Sequence, residues 1–198
     1  ISFYDYFLNG VYKVIQFMRS EFNSNKVNTL GYCIGGTLQA LSLSYLERIH
    51  DQTINSATFL TSMIDFSEPG DLGFFVDEDI VEKLEVVMEA DGYLDGDHMS
   101  QVFNILRAND LIWHFFINNY LKGRSPDAFD ILYWNSDSTR LPRKMHSFYL
   151  REMYLKNSLA KPNALSVEGI EIDIMKISIP TCFVSAVEDH IAPWRSTF

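Results

Sequence analysis

Cys33 stands between Gly31 and the pair Gly35-Gly36 in the stretch LGYCIGG, residues 30–36, directly after an apolar run and directly before a helical one. Small residues on both sides of a nucleophile are what a tight strand-to-helix turn requires, because the nucleophile there sits in strained backbone and no side chain can pack beside it. The pattern is G-x-S-x-G with cysteine in place of serine. A free cysteine is ordinarily a small buried apolar residue. The three glycines argue against that here, since they are costly unless the turn is tight. At a helix N-terminus the thiol is expected to have a lowered pKa, and the backbone N–H of Ile34 is expected to point where an oxyanion forms.

A triad needs two further groups. Asp189 follows a late apolar run, TCFVSAV, and a carboxylate just past a late strand is where this architecture puts its acid, in the chain order nucleophile, acid, histidine. An aspartate in an exposed surface turn is the alternative. The histidine should come after one more strand, and the chain stops nine residues beyond Asp189. His190 neighbours Asp189 in sequence and is not placed for the acid–imidazole contact; His50, His98, His114 and His146 fall in helices or in the long stretch between the two sites. The general base is expected outside this chain.

Other constellations carry less. Asp91, Asp95, Asp97 and His98 in DGYLDGDH lack a recognised cation-loop spacing and read as a solvated turn, so no metal is expected. The cluster Tyr133-Trp134-Asn135-Ser136-Asp137-Ser138-Thr139 either caps a helix and fills a core or lines a channel, and local physics does not choose.

The elements that must position these residues follow from periodicity. Phe7, Val11, Val14, Ile15 and Met18 have helical spacing within residues 4–22. KVNTLGY, 26–32, reads as a short strand into the glycine turn, Thr37 to Ile49 as a helix, and ATFLTSM, 57–63, as a second strand. That order is the order of a parallel α/β sheet. From Phe66 to about Ser178 the pattern is aromatic-rich helix and loop, with helices at 80–89, 111–120 and 145–155 and no run resembling a core strand. Strand character returns at Thr181 to Val187. The expected organisation is core over 1–65, a mostly helical insertion over 66–178 acting as a mobile cap over Cys33, and a returning strand and acid loop over 179–198.

Composition narrows the class. The 198 residues suit one domain, with 47% hydrophobic and 14% aromatic residues to build a core. Sixteen basic against 26 acidic residues give a net charge of −10, with no basic block, which argues against a nucleic-acid partner. Cys33 and Cys182 are too few and too far apart for a disulfide framework and suit a reducing compartment. No signal peptide, membrane span or lipidation motif is visible, so a cytoplasmic location is expected. The chain opens on Ile1 and ends at Phe198 without terminal character; it is expected to be a fragment.

GYCIGGT at 31–37, FVDE at 75–78, NDLIW at 109–113, NYLKG at 119–123, FDILYWNSDSTRLP at 129–142 and EDHIAPW at 188–194 together resemble the catalytic domain of poly(3-hydroxyalkanoate) synthases, most closely the class I, short-chain type. A GYCIGG elbow alone also occurs in dienelactone hydrolases, whose acid follows the cysteine closely and without such an insertion. The resemblance implies an α/β-hydrolase fold with a cap, a Cys-His-Asp triad, and growth of a polyester from 3-hydroxyacyl-coenzyme A, the coenzyme being part of the substrate and no separate cofactor being needed. By motif the nucleophile is Cys33 and the acid Asp189, and His190 is not the base, which lies in a later G-H motif. The resemblance further implies a homodimer and a place at the surface of polyhydroxyalkanoate granules. Arg143 departs from the glycine the family commonly has there. The alternatives are a cysteine hydrolase of the dienelactone type and a non-catalytic granule-associated module. Without its histidine the fragment is expected to be inactive.

Overall fold

The computed structural model describes residues 1–22, 26–106, 112–125 and 137–197. They form a mixed α/β protein that divides into two compact units, Ile1–Glu85 with Lys144–Phe198, and Val86–Arg143. The stretch 66–178 read as an insertion contributes to both.

The first unit is built on a parallel sheet. Strand β1 (Val27–Tyr32) pairs with β2 (Ile54–Leu60), and β2 with the returning strand Thr181–Val184, so β2 is central. Parallel neighbours need a crossover connection. Between β1 and β2 it is helix α1 (Ile34–Arg48), which begins immediately after Cys33. β2 ends at Leu60, three residues before the sequence suggested, because Thr61 turns into the left-handed region at φ 42°. The stacked rings of Phe59 and Phe183, 4.7 Å apart, lock the central pair in register, a contact worth about 0.5–1.5 kcal/mol beyond its buried area.

Helix α1 is buried along nearly its whole length, Leu41 and Ser44 completely. Its small residues let neighbours approach closely on several sides. The N-terminal helical run, Phe3–Asp5, Tyr6–Val11 and Tyr12–Glu21, brings the ring of Phe7 to 5.0 Å from Tyr45. Ser44 accepts a 2.7 Å hydrogen bond from the N–H of Asp173, at the end of a β-hairpin.

That hairpin, Leu165–Val167 with Ile170–Ile172, is a separate two-stranded sheet within the stretch read as mostly helix and loop. Its two-residue turn, Glu168-Gly169, has both φ angles positive at 49° and 78°, the geometry that matches the natural strand twist. Three-residue strands are too short to show a period of two, yet Leu165, Val167 and Ile172 are core residues.

The second unit contains the end of helix α2 (Glu78–Asp91), a two-residue antiparallel pairing of Tyr93–Leu94 with Leu141–Pro142, helix α3 (Gly96–Leu106) and the π-helical turn Phe116–Leu121. The acidic run DGYLDGDH, expected to be a solvated turn, instead ends helix α2 at Asp91, supplies the strand Tyr93–Leu94 and starts the helix at Gly96. Asp95 accepts from the N–H of Asp97 at 3.2 Å and meets Arg140 at 3.4 Å, while the Arg140 guanidinium lies 4.7 Å over the ring of Tyr93. Arg143, where the family pattern differs, donates its backbone N–H to the Gly92 carbonyl at 2.9 Å. Tyr133, Trp134, Asn135 and Ser136 lie outside the described residues.

One buried histidine gives the core a pH dependence. His146, 6% exposed, sits on the helix Arg143–Phe148, and burial pushes its pKa from 6.5 down to about 4. The unfolded chain binds that proton near pH 6.5 and the folded chain only near pH 4. The stability held by the neutral ring is therefore complete above pH 6.5 and is lost as the pH falls, by about 2 kcal/mol at pH 5. Urea unfolding at pH 7 and pH 5 should show this loss, and His146→Gln should reduce it; an unchanged pH slope in the variant would disprove the assignment.

Candidate active site

Cys33 is the first residue after β1 and the N-cap of α1. It has φ 53° and ψ −127°, a strained conformation for a non-glycine residue that costs on the order of 1–3 kcal/mol. The turn is held from both ends. The N–H of Cys33 donates to the Leu60 carbonyl at 3.0 Å, and the Cys33 carbonyl accepts from Gly36 N–H at 2.9 Å.

Two of the three glycines are there because there is no room. A Cβ on Gly31 would come within 2.6 Å of the Gly36 Cα, and a Cβ on Gly36 would come within 2.0 Å of the Ser62 Oγ. Gly35 faces open space instead, so its steric expectation does not hold.

Cys33 is exposed to solvent. The surrounding protein nevertheless desolvates the thiolate enough to raise the pKa, an N–H from Ile34 opposes that rise, and the negative charge of Asp189 adds to it. This reverses the expected direction, because desolvation and a nearby carboxylate outweigh the helix terminus. The Ile34 N–H contact is the one the elbow geometry anticipates. That charge effect puts Asp189 within electrostatic reach of Cys33, 156 positions away in the sequence.

Asp189 is fixed by its own loop. Its Oδ1 accepts from the N–H groups of Ile191 and Ala192, both at 2.9 Å. The loop is tied to the segment following β2. Ile64 and Asp65 donate their N–H groups to the Ser196 carbonyl at 2.9 and 3.2 Å, and the Ser196 hydroxyl donates to the Glu68 carbonyl at 2.6 Å. That segment is in turn held by Thr37, one turn into α1, whose hydroxyl donates to the Met63 carbonyl at 2.7 Å. Loops after all three strands are thus locked together at the carboxyl end of the sheet, where open α/β sheets place their sites. His190, half-buried, accepts from the Asp71 N–H through its carbonyl at 2.8 Å.

Sequence reasoning expected the aromatic helix 145–155 over Cys33 but did not single out its two tyrosines. Tyr149 and Tyr154 have rings 5.7 Å apart, and both meet Phe66, at 5.8 and 5.1 Å. Both phenols are pushed up, first by burial, and a thiolate at Cys33 raises each further, so both lie within electrostatic reach of the sulfur. In an α-helix, positions five apart diverge, and a period of 3.6 gives no reason to group them. The segment Tyr149–Leu155 is π-helical, and i→i+5 winding puts both tyrosines on one face.

No family model matches the chain. Curated relatives do. It is 45% identical over 193 residues, 98% of its length, to the poly(3-hydroxyalkanoate) polymerase subunit PhaC of Rhizobium meliloti (strain 1021), covering 31% of that protein. It is 43% identical over 197 residues, 100% of its length, to the poly(3-hydroxyalkanoate) polymerase of Methylorubrum extorquens, covering 32%. To the polymerase subunit PhaC of Cupriavidus necator it is 37% identical over 199 residues, 98% of its length, covering 34%. The chain spans about a third of the length of these relatives. Over that third it belongs to the poly(3-hydroxyalkanoate) polymerase family.

Proposed function

We propose that the chain is the nucleophile-bearing part of an acyltransferase that polymerises (R)-3-hydroxyacyl-coenzyme A, with 3-hydroxybutyryl-coenzyme A as the substrate and release of coenzyme A. The observation that carries this is the strained Cys33 elbow with the Asp189 charge acting on its thiol, in a chain whose curated relatives are named polymerases. The fold assigned is an α/β-hydrolase fold. Leu30 and Tyr32 on β1 and Val184 on the returning strand are 63, 65 and 50% exposed, as expected of a sheet that continues in a longer protein.

The reaction explains the cysteine. A thiolate attacking a thioester gives another thioester, so the acyl group keeps its activation, whereas a serine ester would discard it. The Ile34 N–H stabilises the oxyanion of each addition. A 3-hydroxyl of a second unit, deprotonated by a histidine, then attacks the acyl-cysteine and forms an oxoester, the downhill step. Asp189 orients and charge-stabilises that imidazole or helps activate the hydroxyl. The raised thiol pKa makes a base necessary, since little thiolate is present at neutral pH. The histidine is assigned to the complete protein outside these residues, so residues 1–198 alone are inactive in this reading.

Water has to be kept from the acyl-cysteine for polymer to form. Because Cys33 is exposed, that exclusion requires closure on the substrate or other parts of the complete protein, with Phe66, Tyr149 and Tyr154 supplying an apolar wall. The complete enzyme is proposed to work as a homodimer at the granule surface.

Product analysis tests the reading. The complete protein supplied with 3-hydroxybutyryl-coenzyme A should release coenzyme A together with protein-bound oligoester and then insoluble polymer. Free 3-hydroxybutyrate equal to the coenzyme A released would identify a hydrolase of the dienelactone type instead. No coenzyme A release would identify a non-catalytic module.

A further inference from the structure

A cavity lies at the amino ends of β1 and β2. A groove of about 550 Å³ is lined by Arg19, Lys26, His50, Asp51, Gln52 and Thr53 among others. It lies at the start of β1, and six residues of strand separate it from the Cys33 elbow, roughly 20 Å at about 3.3 Å per residue. A molecule in it is out of reach of the nucleophile.

The groove is cationic in a chain of net charge −10. Arg19 comes from the last turn of the helix Tyr12–Glu21, Lys26 immediately precedes β1, and His50, at φ 58°, lies in the turn after α1. Three separate elements thus aim cation-capable groups at one place. Asp51 is the one carboxylate among the lining residues. Its Oδ1 is occupied by the N–H of Thr53 at 2.8 Å and by the Thr53 hydroxyl. Its Oδ2 stands 3.6 Å from the Arg19 Nη1, longer than the 2.7–2.9 Å of a charge-assisted hydrogen bond. The Arg19 side chain remains 51% exposed. Arg19, Lys26, His50 and the Gln52 amide together form a donor set for phosphoryl oxygens, and the volume exceeds that of a single ion.

We propose that this groove binds a phosphate ester or pyrophosphate group, separately from the Cys33 site and independently of the polymerase reading. The group can belong to a soluble phosphorylated metabolite or to a phospholipid headgroup. The probes are sodium pyrophosphate, followed by titration calorimetry with the complete protein, and vesicles of phosphatidylcholine with and without phosphatidic acid, followed by flotation.

Pyrophosphate should give a saturable isotherm that weakens with added salt. The double variant Arg19→Gln, Lys26→Gln should weaken it at least about tenfold, the loss expected for two charge-assisted contacts, with circular dichroism and coenzyme A release unchanged. Binding of pyrophosphate assigns the soluble source, and phosphatidic-acid-dependent flotation without pyrophosphate binding assigns the headgroup; both must be lost in the variant. Absence of both, or binding that the double variant leaves intact, overturns the proposal.

Discussion

Cys33→Ala in the complete protein should lower coenzyme A release by about 10⁴-fold or more, since removing the nucleophile of a covalent triad leaves only what binding and the oxyanion donors supply. Cys33→Ser separates the chemistry from the geometry. Serine fits the same turn at φ 53° and keeps the Ile34 N–H in place, so the fold should survive unchanged. An acyl group reaching it would fall into an oxoester no more activated than the polymer bond, and elongation should cease even where a single acylation occurs. Mass spectrometry of the intact protein should then show at most one acyl unit and no ladder. A serine variant that still builds polymer would remove Cys33 from the role assigned to it.

Asp189→Asn is expected to change two readouts in opposite directions. The amide keeps an oxygen to accept from the Ile191 and Ala192 N–H groups, so the loop that holds it should persist. The charge is lost. Without it the base histidine is neither held in its tautomer nor stabilised as imidazolium, and turnover should fall by about 10²–10⁴-fold. The same charge raises the Cys33 pKa, so its removal must lower it, and alkylation of Cys33 by iodoacetamide at pH 7.5 should become faster. A merely structural Asp189 would give slower or unchanged alkylation together with lost turnover. Cys182 is also exposed, so the alkylated residue has to be identified by peptide mapping.

Both expectations rest on features of unequal legibility in the sequence. The elbow is written locally. Gly31, Cys33 and Gly36 lie within six positions, and the clash distances of 2.6 and 2.0 Å show that the two glycines are required by contacts that the turn itself creates. Helix α1 and strands β1 and β2 are likewise readable, since each shows its period over enough residues. Motif order across the chain was sufficient to suggest the family that the curated relatives support.

Tertiary structure decided the rest. Whether the Cys33 thiol is raised or lowered depends on a balance between burial, the Ile34 N–H and a carboxylate 156 positions away; helix-terminus reasoning holds only the local part of that balance. The hairpin Leu165–Val167 with Ile170–Ile172 is too short to carry a period and exists because α1 offers it a surface to bury against. Tyr149 and Tyr154 become neighbours of each other through a π-helical winding, which a 3.6-residue period cannot reveal. The sequence by itself determined the turn that presents the proposed nucleophile, because that turn depends on adjacent residues. The thiol's electrostatics and its aromatic wall depend on contacts between distant segments, which form only on folding.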